Sequence, residues 1–156
     1  AMVELFKEYD YRLQKIEKKY TNDPDDPVIL EEYCDFLKEY LSQGFMEKQM
    51  EQIYRNQYTQ LLLKQLEQKV NLHTCVCLME NLMVQRDFFL AEKILKIMDQ
   101  NWHRGEEYWI WKIRYLAERK MGKELKQSLQ ALKEEHIYLS SRGKEALGFW
   151  LDGSKK

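Results

Sequence analysis

A chain of 156 residues is the size of one ordinary globular domain and can bury roughly two thirds of the surface that its unfolded form exposes. The composition is 44% hydrophobic and 33% charged with six Gly and two Pro, too poor in turn formers for an all-β fold, so long helices are expected. With 25 basic and 26 acidic residues the formal net charge is −1, which excludes a global field drawing the domain to nucleic acid or anionic lipid and leaves partner choice to local surface.

Phe6, Tyr9, Leu13, Ile16 and Tyr20 recur at spacings of three and four, with Lys15, Glu17, Lys18 and Lys19 on the other faces. This predicts an amphipathic N-terminal helix over residues 1–20. Both prolines lie in the polar segment Thr21 to Pro27, which ends that helix; Asp26 is placed to cap the next one, with Pro27 at the first helical position. The second helix carries Leu30, Tyr33, Leu37, Tyr40 and Leu41 inward and stops near Gly44.

No breaker interrupts Met46 to Lys69, where Met50, Ile53, Tyr54, Leu61, Leu62 and Leu66 carry the pattern; the segment reads as one long helix or as two with a kink near Asn56. Asn71 caps a helix running to about Gln85. Arg86-Asp87 turns the chain before Phe88, Ala91, Ile94, Leu95 and Met98 mark another. Gly105 precedes a helix with Tyr108, Trp109, Trp111, Ile113, Tyr115 and Leu116, apolar on more than one face and therefore sandwiched between neighbours, ending at Met121-Gly122. Leu125, Leu129 and Leu132 give its partner. A last helix over about residues 140–151 is expected to turn Ala146, Phe149 and Trp150 onto the preceding pair, with a frayed tail from Asp152 to Lys156.

The turns at Gly44, Arg86-Asp87 and Met121-Gly122 recur about every 35 to 42 residues between apolar-striped helices, the period of helical-pair solenoids. Ala91-Glu92-Lys93-Ile94-Leu95 resembles the second helix of a tetratricopeptide repeat, where a small residue lets the paired helices approach and a large apolar one follows; Ser128 and Leu132 sit similarly after Gly122. The helix from Trp109 to Gly122 is similar to the aromatic first helix of half-a-tetratricopeptide repeats. The resemblance covers roughly Pro27 to His136. It departs from the family at Leu78-Met79-Glu80-Asn81-Leu82-Met83, where a Trp-x-x-Leu-Gly-x-x-Tyr signature would stand, and at the overlong third helix. The fold class expected is all-α: helical pairs over residues 27–136 stacked as a short right-handed α-solenoid of about seven or eight helices, within a single domain over residues 1–156.

The cysteines Cys34, Cys75 and Cys77 are odd in number and lie in apolar helical stretches, which speaks for a reducing compartment and a cytoplasmic protein. No apolar run approaches the roughly 20 residues of a membrane span, and no basic start with an apolar core marks a signal peptide.

His73, Cys75 and Cys77 are the nearest approach to a metal motif, but on a helix positions two apart point nearly opposite ways, so only His73 and Cys77 share a face. Glu31-Glu32, Glu106-Glu107 and Glu134-Glu135 diverge by about 100° as helical neighbours and read as solvated faces rather than acid–base pairs. No Gly-rich phosphate loop and no Gly-x-Ser-x-Gly elbow is present. The expectation is a non-catalytic domain with neither metal nor cofactor.

Lys112, Arg114, Arg119, Lys120, Lys123 and Lys126 form a local basic stretch beside aromatics, diluted by Glu118 and Glu124. Core packing, a protein interface and, least favoured, RNA contact all use such residues. The repeat resemblance implies a groove, lined by the first helices of successive pairs, that holds a peptide or helix of a protein partner. Asn81, Lys112, Tyr115 and Arg119 are its candidate contacts, offering amide, aromatic and charged groups. Two further readings are an accessory tail of a larger enzyme, as on some bacterial glycosyltransferases, and an RNA-binding repeat. Homodimerisation through the Trp150 end or the first helix is also open.

Overall fold

The computed structural model describes residues 2–153. Among the described residues there are eight helices and no strand: α1 (Met2–Asn22), α2 (Pro27–Ser42), α3 (Lys48–Gln68), α4 (Leu72–Gln85), α5 (Phe88–Trp102), α6 (Glu106–Glu118), α7 (Gly122–Glu134) and α8 (Ser141–Gly153). The fold is all-α, as the composition and the spacing of apolar residues required. The chain forms two compact units, one reaching to Thr74 and the other beginning at Cys75, within the first turn of α4.

In the first unit α1 and α2 lie antiparallel. Tyr9 stacks on Tyr40 at 5.0 Å while Tyr20 meets Tyr33 edge-on at 5.4 Å, and Arg12–Glu39 at 2.8 Å and Lys19–Glu32 at 3.3 Å tie the same two helices outside the rings. The aromatic pairs add about 0.5–1.5 kcal/mol each beyond burial, whereas the half-exposed ion pairs add about 0–1 kcal/mol. The link is capped as its sequence requires: the Val28 N–H donates to Asp26 Oδ1 at 2.8 Å, and Pro27 opens α2. Lys64 of α3 donates to the Pro24 carbonyl at 2.6 Å and to the Tyr20 hydroxyl at 3.2 Å, pinning this turn from the third helix.

Residues 48–68 form one continuous helix with no break at Asn56. It starts two residues later than Met46. Gly44 takes φ +75°, and Phe45 then swings into the ring cluster, 5.9 Å from Phe6, 5.7 Å from Tyr9 and 5.9 Å from Tyr40, which holds the chain out of helical geometry. Ile53, expected inward, is 64% exposed, because the inner face is set by Tyr58, Leu61, Leu62 and Leu66.

In the second unit α6 is central, packed against α5, α7 and α8, which is why it is apolar almost all round. Three turns share one chemistry: Arg86 (φ 58°), Lys120 (φ 56°) and His136 (φ 54°) occupy the left-handed conformation after α4, α6 and α7. In each, the next residue's N–H reaches back to close the helix end: Asp87 to the Leu82 carbonyl (3.0 Å), Met121 to Leu116 (2.9 Å) and Ile137 to Leu132 (3.2 Å). The turn after α6 therefore pivots on Lys120 rather than on Gly122, which already opens α7. Asp87 caps α5 through the Leu90 N–H at 3.1 Å, and Asn71 caps α4 through the Thr74 N–H at 3.2 Å.

The last helix differs from expectation in its face. Leu147 is fully buried while Phe149 is 81% exposed, since Gly143 and Leu147, one turn apart, set the inward stripe and Phe149 lies about 200° from Leu147. The helix continues through Gly153, and the remainder of the expected tail, residues 154–156, lies outside the described residues.

Candidate functional site

Within the second unit a groove of about 280 Å³ runs between α5 and α6, floored by Leu95, Leu116 and Met121. Tyr108, Lys112, Tyr115 and Arg119 project from the α6 wall at helical spacings of three and four; Glu92, Lys96 and Asp99 come from α5. Three of the four residues singled out in the sequence thus share one surface. Its walls are α5 and α6, two consecutive helices packed on each other, whereas successive first helices of repeat pairs were the expected lining. Asn81 is not part of it: the residue is 2% exposed on α4, with its amide N–H donating to Gln85 Oε1 at 3.4 Å.

The cations are held over rings rather than left loose. Lys112 Nζ stands 5.5 Å from the Tyr108 ring centre and 5.8 Å from that of Trp109. Arg119 lies 5.6 Å from the Phe88 ring and 5.7 Å from that of Tyr115, whose hydroxyl oxygen accepts its Nη1–H at 2.9 Å. Burial pushes the Tyr108 hydroxyl above its ordinary pKa of 10.0, with the Lys112 ammonium opposing it. Tyr108 and Tyr115 are 3% and 5% exposed, so neither offers the groove an open ring face.

A residue that sequence reasoning did not single out engages Asp99 of the groove lining. His103, just after α5, faces two carboxylates: Nδ1 meets Asp99, one turn back on α5, and Nε2 lies 2.6 Å from Glu135 Oε1 at the end of α7. Hydrogen bonds to Asp99 and Glu135 raise its pKa above 6.5. The Trp109 indole N–H donates to the His103 carbonyl at 2.7 Å, and Arg104 donates to the Glu135 carbonyl at 2.9 Å, so this turn is stapled to both α6 and α7. The Asp-x-x-x-His spacing was a legible signal; the approach of Glu135 was not.

The other residues weighed in the sequence are scattered. His73 is exposed, while Cys75 and Cys77 are buried, and burial pushes the Cys75 thiol up to about 11. Glu106 and Glu107 serve a structural junction: Glu106 accepts from the Ser140 N–H at 2.8 Å and from its hydroxyl at 2.8 and 2.9 Å, and Arg142 pairs with Glu107. Arg114 stacks over Trp111 at 5.0 Å, about 200° round α6 from Lys112, so the basic stretch does not form one face.

The first unit holds a larger groove, about 610 Å³, between α1 and α2. Arg12 and Lys19 on α1 are paired across it with Glu39 and Glu32 on α2, and the other charged residues of its lining are Lys15, Glu31 and Asp35, an acidic surplus with one fewer basic group than the walls need for balance. Size alone does not make it the better candidate. Compared with protein-family models, curated proteins and solved structures, the chain matches none.

Proposed function

We propose that this chain is a tetratricopeptide-like, non-catalytic interaction module of the cytoplasm that holds a peptide or helix of a partner protein in the α5/α6 groove. The observation that carries the reading is the convergence of Lys112, Tyr115 and Arg119 on one apolar-floored groove, with both cations fixed over aromatic rings. A preordered cation loses less rotamer freedom on binding than a free one, so such a rim favours recognition. Buried thiols fit a reducing compartment. The spreading of basic residues over opposite faces of α6 favours a protein partner over RNA, which asks for a continuous positive track.

The test is capture of partners on the immobilised domain from a lysate of its source, with and without nuclease, beside the Lys112→Glu/Arg119→Glu variant. A nuclease-resistant protein retained by the wild type and lost from the variant is the expected result. Equal capture by both overturns the groove assignment, and loss of all partners on nuclease treatment replaces it with RNA binding.

A further inference from the structure

We propose that the α5/α6 groove takes an acidic segment of its partner and that this binding is linked to protonation of His103, which stands between Asp99 of the groove lining and Glu135 at the end of α7. The inference rests on the groove reading given above and adds ligand charge and regulation to it.

Lys112 and Arg119 of α6 lie opposite Glu92, Lys96 and Asp99 of α5, so three cations line the groove against two carboxylates, and Asp99 is the acidic group engaged by the histidine ring. With both ring nitrogens protonated, each carboxylate receives a donor, the Asp99 charge is offset, and the groove presents a cationic rim over an apolar floor. The neutral ring keeps one N–H, so one carboxylate loses its donor, and the cluster of His103, Asp99 and Glu135 goes from net −1 to net −2 beside the site where an acidic ligand lies. An anion in the groove therefore binds more tightly when His103 carries its proton.

The other groups facing His103 leave this sign intact. Tyr108 and Trp109 of α6 pack on the ring at 5.7 and 5.3 Å, and Lys112 sits over both of those rings. Arg104 is engaged with the Glu135 backbone carbonyl. Lysine, arginine and tyrosine do not titrate between pH 6 and 8.5, and a shift of the histidine above 6.5 brings its transition into that window.

The experiment is fluorescence anisotropy of three labelled 12-residue probes built on one Leu/Ala spacing, with Glu, Gln or Lys at the polar positions, measured at pH 6 and pH 8.5. The Glu probe should bind best, its Kd should rise about three- to tenfold from pH 6 to 8.5, and His103→Gln should remove that dependence while leaving the helical circular dichroism unchanged. Binding should be lost in Lys112→Glu/Arg119→Glu. Glu-probe affinity that is pH-independent, or equally pH-dependent in His103→Gln, overturns the linkage but leaves the groove reading standing. Preference for the Gln or Lys probe overturns the acidic ligand alone. Failure of every probe overturns the inference, and the partner-capture experiment then decides the groove separately. Saturable oligouridylate binding abolished by the double charge reversal overturns it in favour of RNA.

Discussion

Gly143 stands where an added Cβ would come within 2.2 Å of Glu106 Oε1, the same oxygen that accepts the Ser140 N–H and hydroxyl. The first turn of α8 is thereby seated directly on the start of α6, and a methyl group fits there only if the Glu106 carboxylate moves. Gly143→Ala raises helix propensity by about 1 kcal/mol, so on local grounds it should stabilise α8. Displacing Glu106 from Ser140 costs more, and the net expectation is a loss of about 1–2 kcal/mol in urea unfolding. A gain in stability would mean that Glu106 yields freely and that the junction is soft.

The two buried tryptophans of α6 should respond differently to the same change. The Trp109 indole N–H is bonded to the His103 carbonyl at 2.7 Å, whereas the Trp111 N–H is buried with no acceptor among the described residues. Trp109→Phe leaves an unmatched carbonyl as well as a void and is expected to cost about 2–4 kcal/mol. Trp111→Phe removes an unmatched donor and should cost at least about 1 kcal/mol less. Equal losses by chemical denaturation would contradict this ordering.

His103 sets the sign of a pH effect on stability. Its folded pKa is raised above 6.5, so its stabilising contribution is complete below the unfolded value and is lost as pH rises through the folded one. The side chain is 41% exposed and solvent screens it, which holds the effect below about 1 kcal/mol. The wild type should therefore lose its advantage over His103→Gln between about pH 6 and 9, read as the difference between their urea midpoints. A difference that grows with pH would reverse the assignment.

The left-handed turn residues supply a fourth expectation. Arg86, Lys120 and His136 hold φ between 54° and 58° with side chains that disfavour it, whereas Gly44 holds φ 75° with none. His136→Gly and Lys120→Gly should each raise stability by about 0.5–1 kcal/mol, and Gly44→Ala should lower it by about 1 kcal/mol, as thermal unfolding would show.

Much of the fold was legible because its signals are local. Asp26 before Pro27 and Asn71 before an apolar run each announce a helix start whose cap needs only neighbouring backbone. Lys112, Tyr115 and Arg119 meet on one groove wall because helical spacing alone aligns them. What escaped depends on contacts distant in sequence. Phe45 leaves the helix register for a ring cluster built from α1 and α2, Phe149 points outward because Gly143 must face Glu106, and the His103 clamp needs Glu135 from another helix. Periodicity reports that a face is apolar and is silent about which distant residue will claim it.

The most direct test of the binding groove is site-specific photo-crosslinking in a lysate of the source, with p-benzoylphenylalanine placed at Lys112 or Lys96 on the groove and at Gln127 or Lys144 away from it. One and the same protein adduct is expected at both groove positions and none at the other two. An adduct confined to Gln127 or Lys144, or equal labelling at all four, would contradict it.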